Sequence, residues 1–168
     1  MALPDDRVDS LILESASKVI GLASARHRTT IATAESCTAG LLGAALTSVP
    51  GSSRVYLGGV ITYSNSVKQR LLGIPHPTLE RWGAVSPQVA AAMASSVRAL
   101  LGATIAVGVT GVAGPASSER KPAGLVYVAL ASSRTTRIER LEVDRGREGN
   151  RSAAVALALR LVAEEILG

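Results

Sequence analysis

The sequence has very few aromatic side chains. Among its 168 residues there is no Phe, one Trp and three Tyr. So few rings provide no stacking platform for single-stranded nucleic acid. The hydrophobic fraction of 47% argues against wholesale disorder. The core must therefore consist of Ala, Val, Leu and Ile, which allow helices to pack closely against a sheet.

Cysteine is nearly absent, since Cys37 is the only one. A single cysteine excludes an internal disulfide and a cysteine-based zinc site. No Asp, Glu or His cluster has metal-ligand spacing, so we expect no metal and no other cofactor. No apolar run approaches the roughly 18 residues of a membrane span, and acidic residues stand where a signal peptide would be basic. We therefore expect a cytoplasmic protein that does not bind a membrane.

Positive charge exceeds negative charge, with a formal net charge of +5 and a pI near 10. The basic residues are spread along the chain, apart from Arg26 with Arg28 and the stretch 134–151. A basic surface that maintains solubility, a small anionic substrate and DNA would each account for this balance. The lack of aromatic rings makes nucleic acid the least favoured partner.

Hydrophobic periodicity and turn residues predict helices that alternate with strands. Predicted helices cover residues 5–26, 38–46, 67–72, 77–81, 89–101 and 149–167, and predicted strands cover 29–33, 55–63, 103–109, 124–131 and 136–143. This order predicts an α/β fold, a three-layer α/β/α arrangement with a mixed, largely parallel central sheet. We expect residues 1–168 to form one domain.

Three predicted strands end in polar or glycine-rich sequence. Residues 35–38, 63–65 and 110–115 follow the first, second and third strands. If these strands are parallel, the three loops meet at the carboxyl edge of the sheet. Open α/β sheets bind their ligands at that edge, so we expect a functional site there.

Ser36 lies between a strand and a helix, so its hydroxyl could project above the sheet towards a substrate. An ordinary helix N-cap explains the same serine. A nucleophilic serine needs a base, and neither His27 nor His76 is an obvious partner. Lys68 follows the second strand and could serve if burial beside Arg147 lowers its pKa. A solvated helix lysine is the alternative.

Other candidates also allow two interpretations. Cys37 is a rival nucleophile, because helix N-termini activate thiolates, but a buried packing role is favoured. Tyr63 could relay a proton or be a partly buried ring. The loop 110–115 could form an anion nest or a tight turn. Arg147 and Arg151, one helical turn apart, could clamp a phosphate or form a solvated basic face.

Five sequence motifs occur together in one order. They are TAESCTAG at 33–40, GVITYSN at 59–65, GAVS at 83–86, TGVAGP at 110–115 and KPAG at 121–124. Over nearly the whole chain, this set resembles the CinA C-terminal domain family, the nicotinamide-nucleotide amidohydrolases. The resemblance implies hydrolytic deamidation of nicotinamide mononucleotide to nicotinate mononucleotide and ammonia, a step in pyridine-nucleotide recycling.

The resemblance also implies the roles of site residues. Ser36 matches the family's nucleophile, and Tyr63 and Lys68 match its YSN-x-x-K motif, so we expect these three to be catalytic. The expected substrate-binding residues are Glu35, Cys37, Thr38, Gly40, Ser64, Asn65, Thr110, Gly111, Gly114, Lys121, Arg147 and Arg151. We expect a small-molecule nucleotide substrate and, from the alanine-rich helices, a homo-oligomer.

The chain departs from the family's usual pattern at two places, and other functions stay open. Ala116-Ser117-Ser118 stands where Asp-Gly-Gly is common, and Arg145-Gly146 stands where Gly-Asp is usual.

One alternative function is a non-catalytic binding protein linked to DNA uptake or damage response, as the family's competence label suggests. A salt titration of duplex DNA binding tests it. Another alternative is an amidohydrolase of a different small amide, which a substrate panel tests.

Overall fold

The computed structural model describes residues 6–168, with side chains from residue 10 onward. The helices of this part are α1 (Asp6–Ala25), α2 (Leu41–Thr47), α3 (Asn65–Leu72), α4 (His76–Trp82), α5 (Pro87–Leu101) and α6 (Gly146–Leu167). The strands are β1 (Ile31–Glu35), β2 (Tyr56–Ile61), β3 (Ile105–Gly111), β4 (Leu125–Ser132) and β5 (Thr136–Glu142). A short 3-10 helix spans Ser52–Arg54. Within the described residues, every helix is too short or too polar to cross a membrane.

The five strands form one sheet in the order β2-β1-β3-β4-β5. Strand β1 pairs parallel with β2 and β3, whereas β4 pairs antiparallel with β3 and β5. Only β4 therefore opposes the other four strands of this sheet. The prediction of a mixed, largely parallel sheet is confirmed. The carboxyl ends of β1, β2 and β3 lie at one edge, as the parallel pairing requires.

Helices cover both faces of the sheet, which confirms the three-layer prediction. Helices α1, α2 and α6 pack on one face, and α3, α4 and α5 pack on the other. Strands β1 and β3 are buried almost throughout, as is typical of central parallel strands. Helix α5 lies so close to β3 that a Cβ atom at Gly108 would collide with the Ala90 carbonyl oxygen. Small side chains make this approach possible.

The segment after β1 differs from its prediction. Strand β1 ends at Glu35, two residues later than predicted, because Glu35 pairs in register with Ile61 and Val109. Helix α2 begins at Leu41 rather than at residue 38. Residues 36–40 instead form a turn that connects β1 to α2. The predicted start of the first helix at residue 5 lies outside the described residues.

Candidate active site

A cavity of about 300 Å³ opens at the carboxyl edge of the sheet. This volume is at the lower end of the range for small-molecule sites. Its walls come from all three loops that the sequence analysis placed at this edge. Ten of the predicted site residues line it: Ser36, Cys37, Tyr63, Ser64, Asn65, Lys68, Thr110, Gly111, Gly114 and Arg147.

Ser36 is the first residue after β1 and is only 8% exposed. Its backbone N–H donates to the Val109 carbonyl at 2.9 Å, which attaches it to the neighbouring strand β3. Gly40, and not Ser36, is the N-cap of α2. The interpretation of Ser36 as an ordinary helix cap is therefore wrong, and its hydroxyl is available to the cavity.

Lys68 lies in the first turn of α3, which begins after the Ser64 cap. The side chain is 1% exposed, so the alternative of a solvated lysine is wrong. Its Nζ lies 2.9 Å from the Ser36 Oγ. It also lies 2.7 Å from the Thr62 carbonyl oxygen and 3.3 Å from that of Tyr63. Helix α3 thus directs the amine under the serine at the bottom of the cavity.

The pKa of the Lys68 amine is lower than that of an ordinary lysine. Burial lowers the pKa of Lys68 from 10.5 to about 8, whereas the carboxylate of Glu119 acts in the opposite direction. A neutral amine has two N–H donors and one lone pair. The two carbonyl groups can accept both N–H donors, which leaves the lone pair for the Ser36 hydroxyl. This arrangement suits a base that activates a serine.

The lowered pKa of Lys68 predicts a pH-dependent stability. Between pH 8 and 10.5 the unfolded chain binds the Lys68 proton and the folded chain releases it. The free energy of unfolding should therefore rise with pH in this window, relative to Lys68→Met, by about 3 kcal/mol in total. Urea unfolding at several pH values measures the difference. Lys18→Met, at an exposed position of α1, controls for the loss of a lysine. A constant difference between wild type and Lys68→Met contradicts the prediction.

Two backbone N–H groups, those of Cys37 and Thr38, directly follow Ser36 along the chain. Within the described part of the chain, no carbonyl or carboxylate oxygen accepts the N–H of Cys37 or Thr38. The Cys37 side chain is buried, and this burial raises its pKa to about 11. Its thiol therefore stays protonated at neutral pH. This supports the packing role of Cys37 over the rival nucleophile.

Tyr63 and Arg147 lie at the mouth of the cavity. The Tyr63 side chain is 60% exposed, and its hydroxyl accepts a long hydrogen bond of 3.4 Å from Arg147. Arg147 also donates to the Gly114 carbonyl at 2.9 Å. Tyr63 contacts Lys68 through its backbone carbonyl and not through its hydroxyl. The structure therefore places the phenol beside Arg147, and only the backbone carbonyl of Tyr63 contacts the Lys68 amine among the described contacts.

One wall of the cavity contains residues that the sequence analysis did not assign to the site. The Thr110 hydroxyl donates to the Ala84 carbonyl at 2.8 Å. The Glu119 carboxylate accepts the N–H groups of Ala84 at 3.1 Å and Val85 at 3.3 Å. The unassigned lining residues are Ala84, Val85, Val112, Ala113, Ala116, Ser118 and Glu119. The GAVS motif at 83–86 was a sequence signal for Ala84 and Val85. Ala116 and Ser118, which stand where the family commonly has Asp-Gly-Gly, lie on this wall.

The other five predicted site residues do not line the cavity: Glu35, Thr38, Gly40, Lys121 and Arg151. Lys121 donates to the Trp82 carbonyl at 3.0 Å and to the Val85 carbonyl. Arg151 donates to the Thr38 carbonyl at 2.8 Å. Glu35 accepts the N–H groups of Gly40, at the end of the turn, and of Leu42 and Gly43, at the start of α2. Glu35 and Arg151 thus bind backbone groups outside the cavity, whereas Lys121 binds the carbonyl of the lining residue Val85.

The two histidines of the chain lie outside this cavity. Neither His27 nor His76 lines it, and His76 faces Glu80 on α4 at 3.2 Å. In residues 6–168, no group of three or more His, Cys, Asp or Glu side chains is arranged to hold a metal ion. The titratable group that contacts the Ser36 hydroxyl is the Lys68 amine.

Comparisons with known proteins agree with this architecture. The family model of the CinA C-terminal domain matches residues 13–166. A putative competence-damage inducible protein of Desulforudis audaxviator is 47% identical over 89% of this chain and 36% of its own length. A CinA-like protein of Koribacter versatilis is 42% identical over 97% of this chain and 40% of its own length. The chain thus spans less than half of these curated relatives.

Solved structures show the same fold. The competence damage-inducible protein A of Klebsiella pneumoniae superposes with a TM-score of 0.89 at 34% identity, over 93% of this chain and 97% of the other. A competence/damage inducible protein of Agrobacterium tumefaciens gives 0.84 at 35% identity, over all of both chains. With the five motifs, the sheet and the cavity in agreement, this chain belongs to the CinA C-terminal domain family.

Proposed function

We propose that this protein hydrolyses the carboxamide of nicotinamide mononucleotide, forming nicotinate mononucleotide and ammonia. The observation that carries the proposal is the buried pair of Ser36 and Lys68, with 2.9 Å between hydroxyl and amine. This pair faces a cavity of small-molecule size with an arginine at its mouth. A serine paired with an amine base suits acyl transfer, in which a covalent intermediate divides a difficult hydrolysis into two steps.

In the first step the Ser36 Oγ attacks the carboxamide carbon while neutral Lys68 accepts the hydroxyl proton. The amide oxygen becomes negatively charged as the tetrahedral intermediate forms. The N–H groups of Cys37 and Thr38 are the donors nearest to Ser36 along the chain, and they stabilise this oxyanion in our proposal. The carbon–nitrogen bond then breaks, and the protonated Lys68 delivers its proton to the departing ammonia.

In the second step water attacks the acyl group on Ser36. Lys68, neutral again, accepts a proton from this water and returns it to the Ser36 oxygen when the ester breaks. The products are the free serine and a carboxylate on the pyridine ring. One water is consumed and one ammonia released for each amide, so the enzyme returns to its starting state with no cofactor.

Arg147 is the residue that we assign to the phosphate of the nucleotide. It lines the cavity, it is exposed, and its guanidinium lies between the Gly114 carbonyl and the Tyr63 hydroxyl. Guanidinium groups bind phosphate through charge-assisted, often bidentate, hydrogen bonds. Binding of the phosphate would replace the long contact with Tyr63, which leaves that hydroxyl free for the substrate.

Arg147→Gln is expected to raise KM for nicotinamide mononucleotide by about tenfold or more with little change in kcat. The reason is that a hydrogen bond to a charged group contributes roughly 1.5–3 kcal/mol. Nicotinamide riboside, which lacks the phosphate, should show a much smaller effect of the same substitution. Arg145→Gln is the matched control, because Arg145 precedes the same helix but lines a different cavity. An equal loss with both substrates contradicts the assignment to phosphate.

The test of the function itself is a direct assay of the purified protein. Ammonia release from nicotinamide mononucleotide is measured together with formation of nicotinate mononucleotide by chromatography. Equimolar formation of both products supports the proposal, and a lack of turnover contradicts it. A panel of other small amides, which includes nicotinamide and the riboside, then tests whether the nucleotide is the preferred substrate.

A further inference from the structure

We propose that Arg151 and Glu35 are positioning residues, which hold the turn 36–40 from its two sides and so keep Ser36 and the adjacent N–H donors in place for the reaction. Both were expected to bind substrate, but neither lines the cavity. The inference deepens the proposed function and depends on it for its kinetic effects. Its structural consequence can be measured whether or not the protein is a deamidase.

The backbone of the turn 36–40 has an unfavourable conformation, which contacts with surrounding residues must stabilise. Ala39 has a φ of 50° and Gly40 a φ of 94°, so two consecutive residues adopt the left-handed conformation. Alanine rarely adopts it, because its Cβ comes too close to the backbone. Such conformations persist where the surrounding structure determines them, and they concentrate at active sites. The contacts that determine this turn are therefore functional candidates.

Glu35 holds the end of the turn that leads into α2. Its carboxylate accepts the N–H groups of Gly40 at 3.0 Å, Leu42 at 3.1 Å and Gly43 at 2.9 Å. The residue is 2% exposed. Gly40 has no side chain with which to cap the helix, so Glu35 satisfies the free N–H groups that an N-cap side chain would otherwise bind. Its negative charge also suits the positive end of the helix.

Arg151 holds the opposite side of the turn from helix α6. Its Nη2 donates to the Thr38 carbonyl at 2.8 Å. Its Nε is buried without a hydrogen-bond partner among the described residues, and Thr38 itself is fully buried. The guanidinium is thus directed at one backbone carbonyl inside the protein. Arg147, one helical turn earlier, reaches the cavity instead, so the two arginines have different roles.

These contacts bear directly on the reacting groups. Fixing the Thr38 carbonyl restricts rotation of the backbone at Thr38, whose N–H is one of the two proposed oxyanion donors. Oxyanion donors act mainly in the transition state, and a displacement of about 1 Å can reduce the rate about 10²-fold. Loss of the Arg151 contact should therefore reduce kcat and leave KM nearly unchanged. A substrate-binding role for Arg151 predicts the reverse.

The experiment measures Arg151→Gln and Arg151→Lys with nicotinamide mononucleotide. For Arg151→Gln we expect kcat to fall about 10²-fold with KM close to that of wild type. The kcat of Arg151→Lys should lie between those of wild type and Arg151→Gln. An ammonium group can still donate a hydrogen bond to the Thr38 carbonyl, but it lacks the planar reach of guanidinium. Arg160→Gln, an ion-paired arginine further along α6, controls for charge loss from this helix. A raised KM with unchanged kcat overturns the inference.

Hydrogen exchange of backbone amides in residues 36–43 provides the second measurement, on the same variants. Arg151→Gln should increase exchange in this segment and leave the amides of β4 and β5 unchanged. If wild type does not hydrolyse the nucleotide, the proposed function fails and this measurement alone decides the positioning role. Unchanged exchange in residues 36–43 overturns it. If Arg151→Gln does not fold, the folded Arg151→Lys variant is held to the same criteria.

Discussion

Ser36→Ala is expected to abolish ammonia release from nicotinamide mononucleotide, with kcat reduced on the order of 10⁴-fold or more. Alanine has no hydroxyl to attack the carboxamide, so the covalent pathway is closed. The substitution removes one oxygen atom from a side chain that is already almost buried. We therefore expect the fold and substrate binding to be retained. Steady-state ammonia release and calorimetric binding of the nucleotide measure the two effects separately.

The matched control for this substitution is Ser48→Ala. Ser48 is the exposed C-cap of α2, and its hydroxyl donates to the Ala44 carbonyl. Its replacement should leave kcat unchanged. If Ser36→Ala retains the wild-type rate, Ser36 is not the nucleophile, and the hydroxyl–amine pair has another function. Mass spectrometry of rapidly quenched wild type can also detect the acyl group, which should be on the peptide that contains Ser36 and absent from the variant.

Lys68→Met and Lys68→Arg are both expected to reduce kcat by roughly 10³-fold or more. Methionine has no proton acceptor. Arginine retains the positive charge but does not deprotonate in proteins, so charge alone does not rescue the reaction. The comparison separates a base from an electrostatic role, because an arginine variant with substantial activity would contradict the base assignment.

The pH dependence of the wild-type enzyme provides the second part of this prediction. Because burial lowers the pKa of Lys68 to about 8, the reactive neutral amine forms as the pH rises through this value. The rate constant kcat/KM should therefore increase about tenfold per pH unit below pH 8 and reach a plateau above it. A profile that is flat between pH 6 and 9 contradicts Lys68 as the base. Residual activity of Lys68→Met should lack this dependence.

Much of the fold could be predicted because local patterns and global packing agree. Apolar runs in β1 and β3 are buried on both faces, and α5 covers the whole of the helix predicted over 89–101. The lack of large aromatic side chains correctly indicated close packing of helices on the sheet. Element ends were less accurate. The end of β1 depends on its pairing with two neighbouring strands, and such pairing is not encoded in the five residues of the strand.

The candidate site, like the fold, could be predicted only in part from the sequence. Motif order and strand ends correctly predicted which loops meet, and ten of the expected residues line the cavity. The direction of each side chain was not predictable. Arg147 and Arg151 lie one helical turn apart in α6, and the sequence does not distinguish their roles. In the structure Arg147 lines the cavity, whereas Arg151 donates to the Thr38 carbonyl. Glu119, which no motif indicated, supports the wall through Ala84 and Val85.

The sequence by itself determined the layered α/β fold and the edge of the sheet that carries the candidate site, and the resemblance of its motifs pointed to Ser36. The fold and the edge follow from hydrophobic periodicity, strand order and residue types, which are properties of the chain as written. Only the tertiary structure decided that Lys68 is buried against Ser36. The lowered pKa of that amine comes from the loss of solvent on folding, and desolvation depends on atoms that come from distant parts of the chain.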